Sequence, residues 1–303
     1  MGHHEHNAGT AASADHFGEH RGLLFGVAYR MLGSVADAED ALQDTWLTWN
    51  AADRAGVAHP KAYLVRTVTN LSINRLTSAR AVRERYIGPW LPEPLLTAPD
   101  STEEEAEMAD SVSMALLVVL ETLTPVERAV FVLHEVFGYP YGEIAGYLER
   151  PEATIRQIAH RARGHVRARR PRCDTEEQPR TAIIERFLAA CRGGDVNALM
   201  EVLAPDVTAW NDGGGKITAA RRPVHGPDHV ARWMIGVLAK PISAGIELAT
   251  VPVNGETGIL GTIDGHPIGV LTFEIAGGCI HGLRFQVNPD KLGGVCGGPN
   301  PAE

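Results

Sequence analysis

Two hydrophobic rhythms divide the chain. From about Asp15 to Arg169 apolar residues recur at intervals of three and four, the period of amphipathic helices. After Thr181 they gather into short runs broken by glycine-bearing turns, the pattern of strands. The first stretch resolves into helices over Phe17–Leu32, Ala36–Asn50 and Pro60–Arg83, with Pro60 suited to a first helical turn. Between Tyr86 and Ser111 the rhythm breaks at Pro89-Trp90-Leu91-Pro92-Glu93-Pro94 and at the acids Glu103–Glu105, which reads as a linker. Helical spacing resumes from Ser113 to Arg169, and Thr124-Pro125-Val126-Glu127 supplies a cap, an initial proline and an acid behind it.

Beyond a second linker, Pro171–Pro179, the expected order is a helix over Ile183–Cys191, the turn Gly193-Gly194-Asp195 and a second helix up to Leu203. Strands follow over Val207–Asn211, Ile246–Val253, Ile259–Ile263, Pro267–Ile275 and Ile280–Val287, interrupted by one helix, Pro227–Leu238. Helices followed by a run of antiparallel strands predict an α+β domain whose sheet curls around helices. The expected organisation is therefore two all-α domains, 15–86 and 113–171, a linker over 87–112, and an α+β domain over 181–292.

The most telling chemistry lies in Tyr141–Leu148 and Ala153–Arg163, two short helices parted by Glu149-Arg150-Pro151, where proline stops the first from continuing. In the second, Ile155, Ala159, Ala162 and Val166 make one apolar face, and Thr154, Arg156, Gln157, His160 and Arg161 occupy the other. Those side chains suit phosphates and base edges, and the pair reads as a helix-turn-helix. Charge agrees locally though not globally. The chain carries 28 Lys+Arg against 37 Asp+Glu, which excludes wholesale nucleic-acid coating, yet eight arginines from Arg150 to Arg172 face one acid, Glu152.

A second contrast lies earlier. Along Asp37–Trp49, the residues Ala38, Ala41, Leu42, Thr45, Trp46 and Trp49 form a stripe for burial, leaving Asp37, Asp40, Gln43 and Asp44 on the other side. The next helix and its end carry Lys61, Arg66, Arg75, Arg80, Arg83 and Arg85 against Glu84, with Asn70 and Asn74 one turn apart among them. An acidic face and a separate basic, amide-bearing face predict two different partners.

Ala28–Asp44 resembles region two of the extracytoplasmic-function class of bacterial sigma factors, and Leu123–Phe137 with the helix-turn-helix resembles region four. Pro89–Pro94, Asp212-Gly213-Gly214-Gly215-Lys216 and Asn288-Pro289-Asp290-Lys291-Leu292 resemble a subgroup in which a SnoaL-like domain of the NTF2-like fold follows region four. The resemblance implies two all-α sigma domains with a C-terminal α+β cone. It implies core RNA polymerase as partner, at the β′ clamp helices, gripped by Asp40, Gln43 and Asp44, and at the β flap. It assigns minus-ten DNA to Lys61, Arg66, Asn70, Asn74 and Arg75, and minus-thirty-five DNA to Pro151, Thr154, Arg156, Gln157, His160 and Arg161. Ile158 stands where many relatives carry arginine. Regulation within the chain is implied for Trp90, Pro92, Asp212, Gly213, Gly214, Gly215, Lys216, Asn288, Pro289, Asp290, Lys291 and Leu292.

Asp212, His225, Asp264, His266 and His281 are the acid–base candidates should the C-terminal domain catalyse, but no catalytic set is expected. Asp212–Lys216 is not a phosphate-binding loop, since Trp210 stands where the first glycine is required. Cys173, Cys191, Cys279 and Cys296 lack metal or disulfide spacing. His3-His4-Glu5-His6 reads as a disordered tail rather than a metal site. No cofactor or metal, no membrane span, a cytoplasmic location and a monomeric free chain are expected. The rival reading is a one-component DNA-binding regulator with a ligand-sensing C-terminal domain. It leaves the acidic helix face without a purpose. An enzyme tethered to DNA is the third.

Overall fold

The computed structural model describes residues 5–52, 56–83, 86–96, 113–169 and 177–295. These fall into two compact units. One holds 5–52, 56–83 and 119–169; the other holds 86–96, 113–118 and 177–295. Residues 86–96 thus belong with the C-terminal unit, while the described residues of both expected sigma domains, apart from 86 and 113–118, share the first.

The first unit opens with three helices packed on one another: α1 (Glu5–Leu32), α2 (Val35–Ala51) and α3 (Pro60–Arg83). The helix α1 begins well ahead of its apolar pattern, so Glu5 and His6 are helical rather than part of a disordered tail. Ser34 caps α2 by accepting from the Asp37 N–H at 3.2 Å. The predicted stripe is buried at Ala38, Ala41, Leu42, Thr45 and Trp49. Trp46 is half-buried and meets Phe17 edge-on at 5.2 Å.

The helix α4 (Met114–Leu120) crosses the division between the units. Next come α5 (Pro125–Phe131) with its π-helical continuation Val132–Val136, then α6 (Tyr141–Leu148) and α7 (Glu152–Arg169). Thr124 and Glu127 form the expected reciprocal cap of α5. Ile144, Ile155, Ala159, Ala162 and Val166 are buried between these helices, as is Ile158. Ile158 lies one turn from Ile155 and Ala162 and fills the core with them.

The second unit holds α8 (Glu177–Gly193), α9 (Val196–Val202), β1 (Leu203–Asp212), β2 (Val224–His225), α10 (Pro227–Leu238), β3 (Glu247–Val253), β4 (Glu256–Ile263), β5 (His266–Ala276) and β6 (Cys279–Gln286). The helix α8 starts inside the stretch expected to be linker, with Pro179 in its first turn, where a missing N–H costs nothing. The sheet order is β2-β1-β6-β5-β4-β3. The pairs β3–β4, β4–β5 and β5–β6 are antiparallel, as expected, but β1 and β6 run parallel. A strand entering from α9 and the last strand of a meander meet at the sheet centre, and no local signal in either reveals that direction. Asn254-Gly255 and Asp264-Gly265 both hold two successive left-handed residues, the geometry of tight hairpin turns.

Alternation assigns the two sheet faces. Val207, Ala209, Leu271, Phe273 and Leu283 pack with Ile184, Phe187, Leu199, Val230 and Met234 from the helices. On the other face Val253, Val270, Leu292 and Val295 gather with Leu96 of the linker.

Candidate nucleic-acid interface and linker anchor

The helix α7 turns its polar residues outward. Pro151, Arg156, Gln157, His160 and Arg161 are exposed, and Thr154 is half-buried. The Pro151 carbonyl accepts from the Thr154 and Ile155 N–H groups, so the proline that ends one helix begins the next. Two arginines are held locally. Arg156 pairs with Glu152 at 2.5 Å and lies over the Tyr141 ring at 5.3 Å; Arg161 approaches Glu127 at 3.6 Å. Burial opposes ionisation of Glu127, but hydrogen bonds from the Thr124 side chain and backbone outweigh it and hold the acid below its usual range. Gln157 and His160 complete a free outward surface that a DNA groove can accept.

The second helix pair is arranged differently from the sequence expectation. Asp40 and Gln43 are exposed and Asp44 half-buried along α2, beside an open groove lined by Phe17, Arg21, Glu39 and Trp46. Arg75 of α3 reaches across to this face, 2.5 Å from Asp44 and 3.5 Å from Asp40. The hydrogen bond that Arg75 donates to Asp44 leads the effects that raise the guanidinium pKa further. The five expected minus-ten residues thus do not share one open surface. Lys61 and Asn74 are exposed, Arg75 faces the acids of α2, and Arg66 and Asn70 contact the helix-turn-helix. The Asn70 amide donates to the Tyr147 carbonyl at 3.2 Å, and Arg66 pairs with Glu149.

The expected regulatory residues converge within the C-terminal unit. Asp212 ends β1 fully buried, opposite Gln286 in the parallel register and on the face away from the helices. Its carboxylate accepts from the Tyr86 hydroxyl at 2.5 Å, the Leu91 N–H at 2.8 Å, the Lys291 ammonium at 2.8 Å and the Gln286 amide at 3.3 Å. Lys291 also donates to the Leu91 carbonyl at 2.6 Å, and its ammonium lies 4.1 Å from the Trp90 ring centre and 4.9 Å from that of Tyr86. A buried ammonium is thereby compensated by a carboxylate, a carbonyl and two aromatic faces. Asn288 donates to Tyr86 at 2.9 Å, and Gln286 reaches the Leu91 and Pro92 carbonyls at 3.3 Å each. Trp90 is half-buried and Pro92 buried.

The three glycines have separate steric reasons. A Cβ on Gly213 would strike Ala219 at 2.7 Å, one on Gly214 would overlap the Asn288 carboxamide, and one on Gly215 would sit 2.9 Å from Ile87. Gly214 and Gly215 also adopt left-handed conformations. Lys216 pairs with Asp290 at 2.5 Å on the surface, joining the two loops to each other. Pro289 and Asp290 are exposed, and Leu292 packs with Leu96 and Val253.

Sequence reasoning missed Tyr86, Gln286 and Asn254. Tyr86 stands alone at the start of a linker, and its phenol is pushed up from its ordinary value by burial first, then by the Asp212 hydrogen bond. Asn254 read only as a turn residue, yet its N–H and side chain hold both backbone polar groups of Leu95. The acid–base candidates take separate partners. His281 lies 2.8 Å from Asp206, His225 is 3.1 Å from the Thr208 hydroxyl, and Asp264 and His266 sit at an exposed hairpin tip. Among the described residues no helix is long and apolar enough to cross a membrane.

Comparison with known proteins gives the same division. Residues 16–82 match the Sigma-70 region 2 family, 113–166 match Sigma-70, region 4, and 184–275 match the SnoaL-like domain. The ECF RNA polymerase sigma factor SigJ of Mycobacterium tuberculosis is 37% identical over 284 residues, covering 89% of this chain and 90% of the relative. The probable sigma factor SigI of the same species is 30% identical over 275 residues, with 90% and 92% covered. The crystal structure of SigJ superposes with a TM-score of 0.73 at 35% identity, covering 90% of this chain and 96% of that one. A protein with both sigma regions and a relative this similar along nearly its whole length belongs to the extracytoplasmic-function sigma factors of RNA polymerase, with a SnoaL-like domain fused behind region four.

Proposed function

We propose that this chain grips core polymerase with Asp40, Gln43 and Asp44 at the β′ clamp helices and contacts the β flap through region four. It reads minus-thirty-five DNA with α7 and minus-ten DNA with α3. The C-terminal unit acts as a regulator in cis by fixing the course of the linker, and the free chain is a monomer that works in the cytoplasm without a cofactor. The observation that carries the regulatory part is the fully buried Asp212 carboxylate, whose partners include the backbone of Leu91 and the hydroxyl of Tyr86. A carboxylate at the end of a sheet strand needs charge compensation when buried, and here part of it comes from the segment that joins the two sigma regions.

The DNA assignments rest on exposure and chemistry. Gln157 and His160 project from a helix whose other face is core, and Arg156 keeps its place near the N-terminal end that enters the major groove. Run-off transcription with purified core polymerase and a candidate promoter, with and without the chain, is the direct test. Promoter-specific transcripts that depend on the chain are expected. Specific DNA binding with no transcript at any level of core polymerase would favour a one-component regulator instead.

A further inference from the structure

We infer that the C-terminal unit holds a binding site for a small amphipathic anion, in a cleft between the loop after β1 and the start of the linker. The cleft encloses about 230 Å³. It is lined by the end of β1, the loop that follows and the linker residues Ile87 and Gly88, with nothing from α8, α9 or α10 among the described residues. Its walls exist because the loop folds back on itself. Gly213 lets Ile217 and Ala219 close over it, where a Cβ would strike Ala219 at 2.7 Å. Gly215 in turn leaves room for Ile87, and Gly88 passes beside the Arg221 backbone. At one lip the Lys216–Asp290 pair ties the loop to the segment after β6.

Three observations give the ligand its chemistry. Arg221 is exposed on the cleft and makes no ion pair or side-chain hydrogen bond with the described residues, so its guanidinium is open to a carboxylate or phosphate. Two of the four large hydrophobic side chains exposed among the described residues meet here, Ile87 at 50% and Ile217 at 42%. Single exposed apolar residues are ordinary, but two from distant segments on one concave surface make a seat for an apolar group. The side-chain oxygen of Asn211, at the end of β1, is buried without a hydrogen-bond partner, and an orphaned acceptor carries a cost that a donor on a ligand would recover. The volume lies below the roughly 300–1,000 Å³ of sites for drug-sized molecules, which suits a compact acid with a short chain rather than a stretch of protein or nucleic acid. Because Ile87 and Gly88 belong to the linker, a ligand between them and Arg221 would hold the linker on the C-terminal unit. Its effect on transcription rests on the regulatory reading proposed above; the site itself does not.

The test uses the full chain with labelled isoleucine methyl groups, the Ile87 and Ile217 signals being assigned by Ile87→Val and Ile217→Val. Hexanoate and hexyl phosphate are the probes, and hexanol is the uncharged control. At millimolar concentration at least one of the two anions should shift both signals saturably, and the tighter binder identifies the head group; hexanol should shift neither. Arg221→Ala, an exposed position that the fold does not need, should weaken binding about tenfold, the loss of one hydrogen-bonded charge partner, and Arg221→Lys should restore part of it. Bound probe should also slow amide exchange at Leu91, whose N–H reaches Asp212, since a ligand touching Ile87 stabilises the docked linker. No saturable shift with either anion, equal shifts with hexanol, or affinity that survives Arg221→Ala would overturn the site. So would a duplex oligonucleotide that moves the same signals where the anions do not. Binding with unchanged exchange at Leu91 would remove the linker step. Slowed exchange with unchanged run-off transcription would leave the site standing and sink the regulatory reading.

Discussion

Asp212–Lys291 and Arg66–Glu149 are both ion pairs between sequence-distant segments, but they lie at opposite ends of the solvent scale. The side chains of the first are 0% and 11% exposed; those of the second are 74% and 47% exposed for Glu149 and Arg66. Around Asp212 each carboxylate oxygen has named donors, and Lys291 is enclosed by Trp90 and Tyr86. Breaking a pair of that kind strands a charge away from water, whereas breaking an exposed pair returns both partners to solvent. The C-terminal unit therefore holds its linker as part of the fold, whereas the Arg66–Glu149 pair of the sigma unit can part without stranding a charge away from water. Permanence and reversibility are set here by burial rather than by the residue types.

The largest effect should come from Asp212→Ala. It leaves Lys291 buried without its carboxylate and removes the acceptor of Tyr86, Leu91 and Gln286. A loss of about 3–5 kcal/mol is expected in chemical unfolding of the C-terminal unit, with altered promoter output in run-off assays. Asp212→Asn keeps the shape and should lose less. An Asp212→Ala chain as stable as wild type would end the distinction between the buried pair and the exposed one.

Tyr86→Phe removes one donor from the same carboxylate and should cost about 1.5–3 kcal/mol. It also gives a pH signature. The phenol is pushed above its ordinary value near 10 by burial and then by Asp212. The neutral hydroxyl therefore contributes stability that is fully present below pH 10 and lost as pH rises through the folded value. Wild type should lose its advantage over Tyr86→Phe only on that alkaline limb; a difference that vanishes on acidification would contradict the assignment.

How much of this was legible in the sequence depended on whether the determinant was local. Pro60 and Pro227 mark helices whose observed bounds, Pro60–Arg83 and Pro227–Leu238, are those expected, because proline at a helix start acts through its own backbone. The capping box at Thr124 and the turn at Asp264-Gly265 were legible for the same reason. The apolar face of α7 was read without Ile158, which falls at helical spacing from its neighbours but stands where a charged residue was expected. The parallel pairing of β1 with β6, the capture of Arg75 by Asp44 and the place of Tyr86 beside Asp212 all arise from chain segments far apart in sequence. Each residue's own neighbours say nothing about such partners. The loops around Asp212 and Asn288 were found through resemblance, and their geometry then separated Lys216, which stays outside, from Lys291, which is buried.

The sigma unit allows a smaller but sharper test. Asp40→Ala with Asp44→Ala should lower affinity for core polymerase at least tenfold, about 1.4 kcal/mol, in a competition assay. Thermal unfolding should move little, since both acids are largely in solvent and pair only with the edge of Arg75. Arg75→Ala serves as the control. It removes the internal cation but leaves both acids, so core affinity should hold or rise. Equal loss from both variants would mean that the Arg75 bridge, and not the acidic face itself, is what the polymerase requires.

The smallest expected effect is at Lys216. Its pair with Asp290 is as short as the buried one, yet the side chains are 54% and 59% exposed. Solvent screening and the entropy of a long side chain should reduce its contribution to about 0–1 kcal/mol. Lys216→Ala should therefore leave unfolding nearly unchanged, with a residual difference that disappears in high salt. Combined with Asp212→Ala it should add little to the Asp212 loss, because Lys216 pairs with Asp290 and links the two loops to each other. A double-mutant cycle between Lys216→Ala and Asp290→Ala measures the pair directly. A coupling as large as that between Asp212 and Lys291 would show that length, rather than burial, ranks these contacts, and the comparison between buried and exposed pairs would lose its basis.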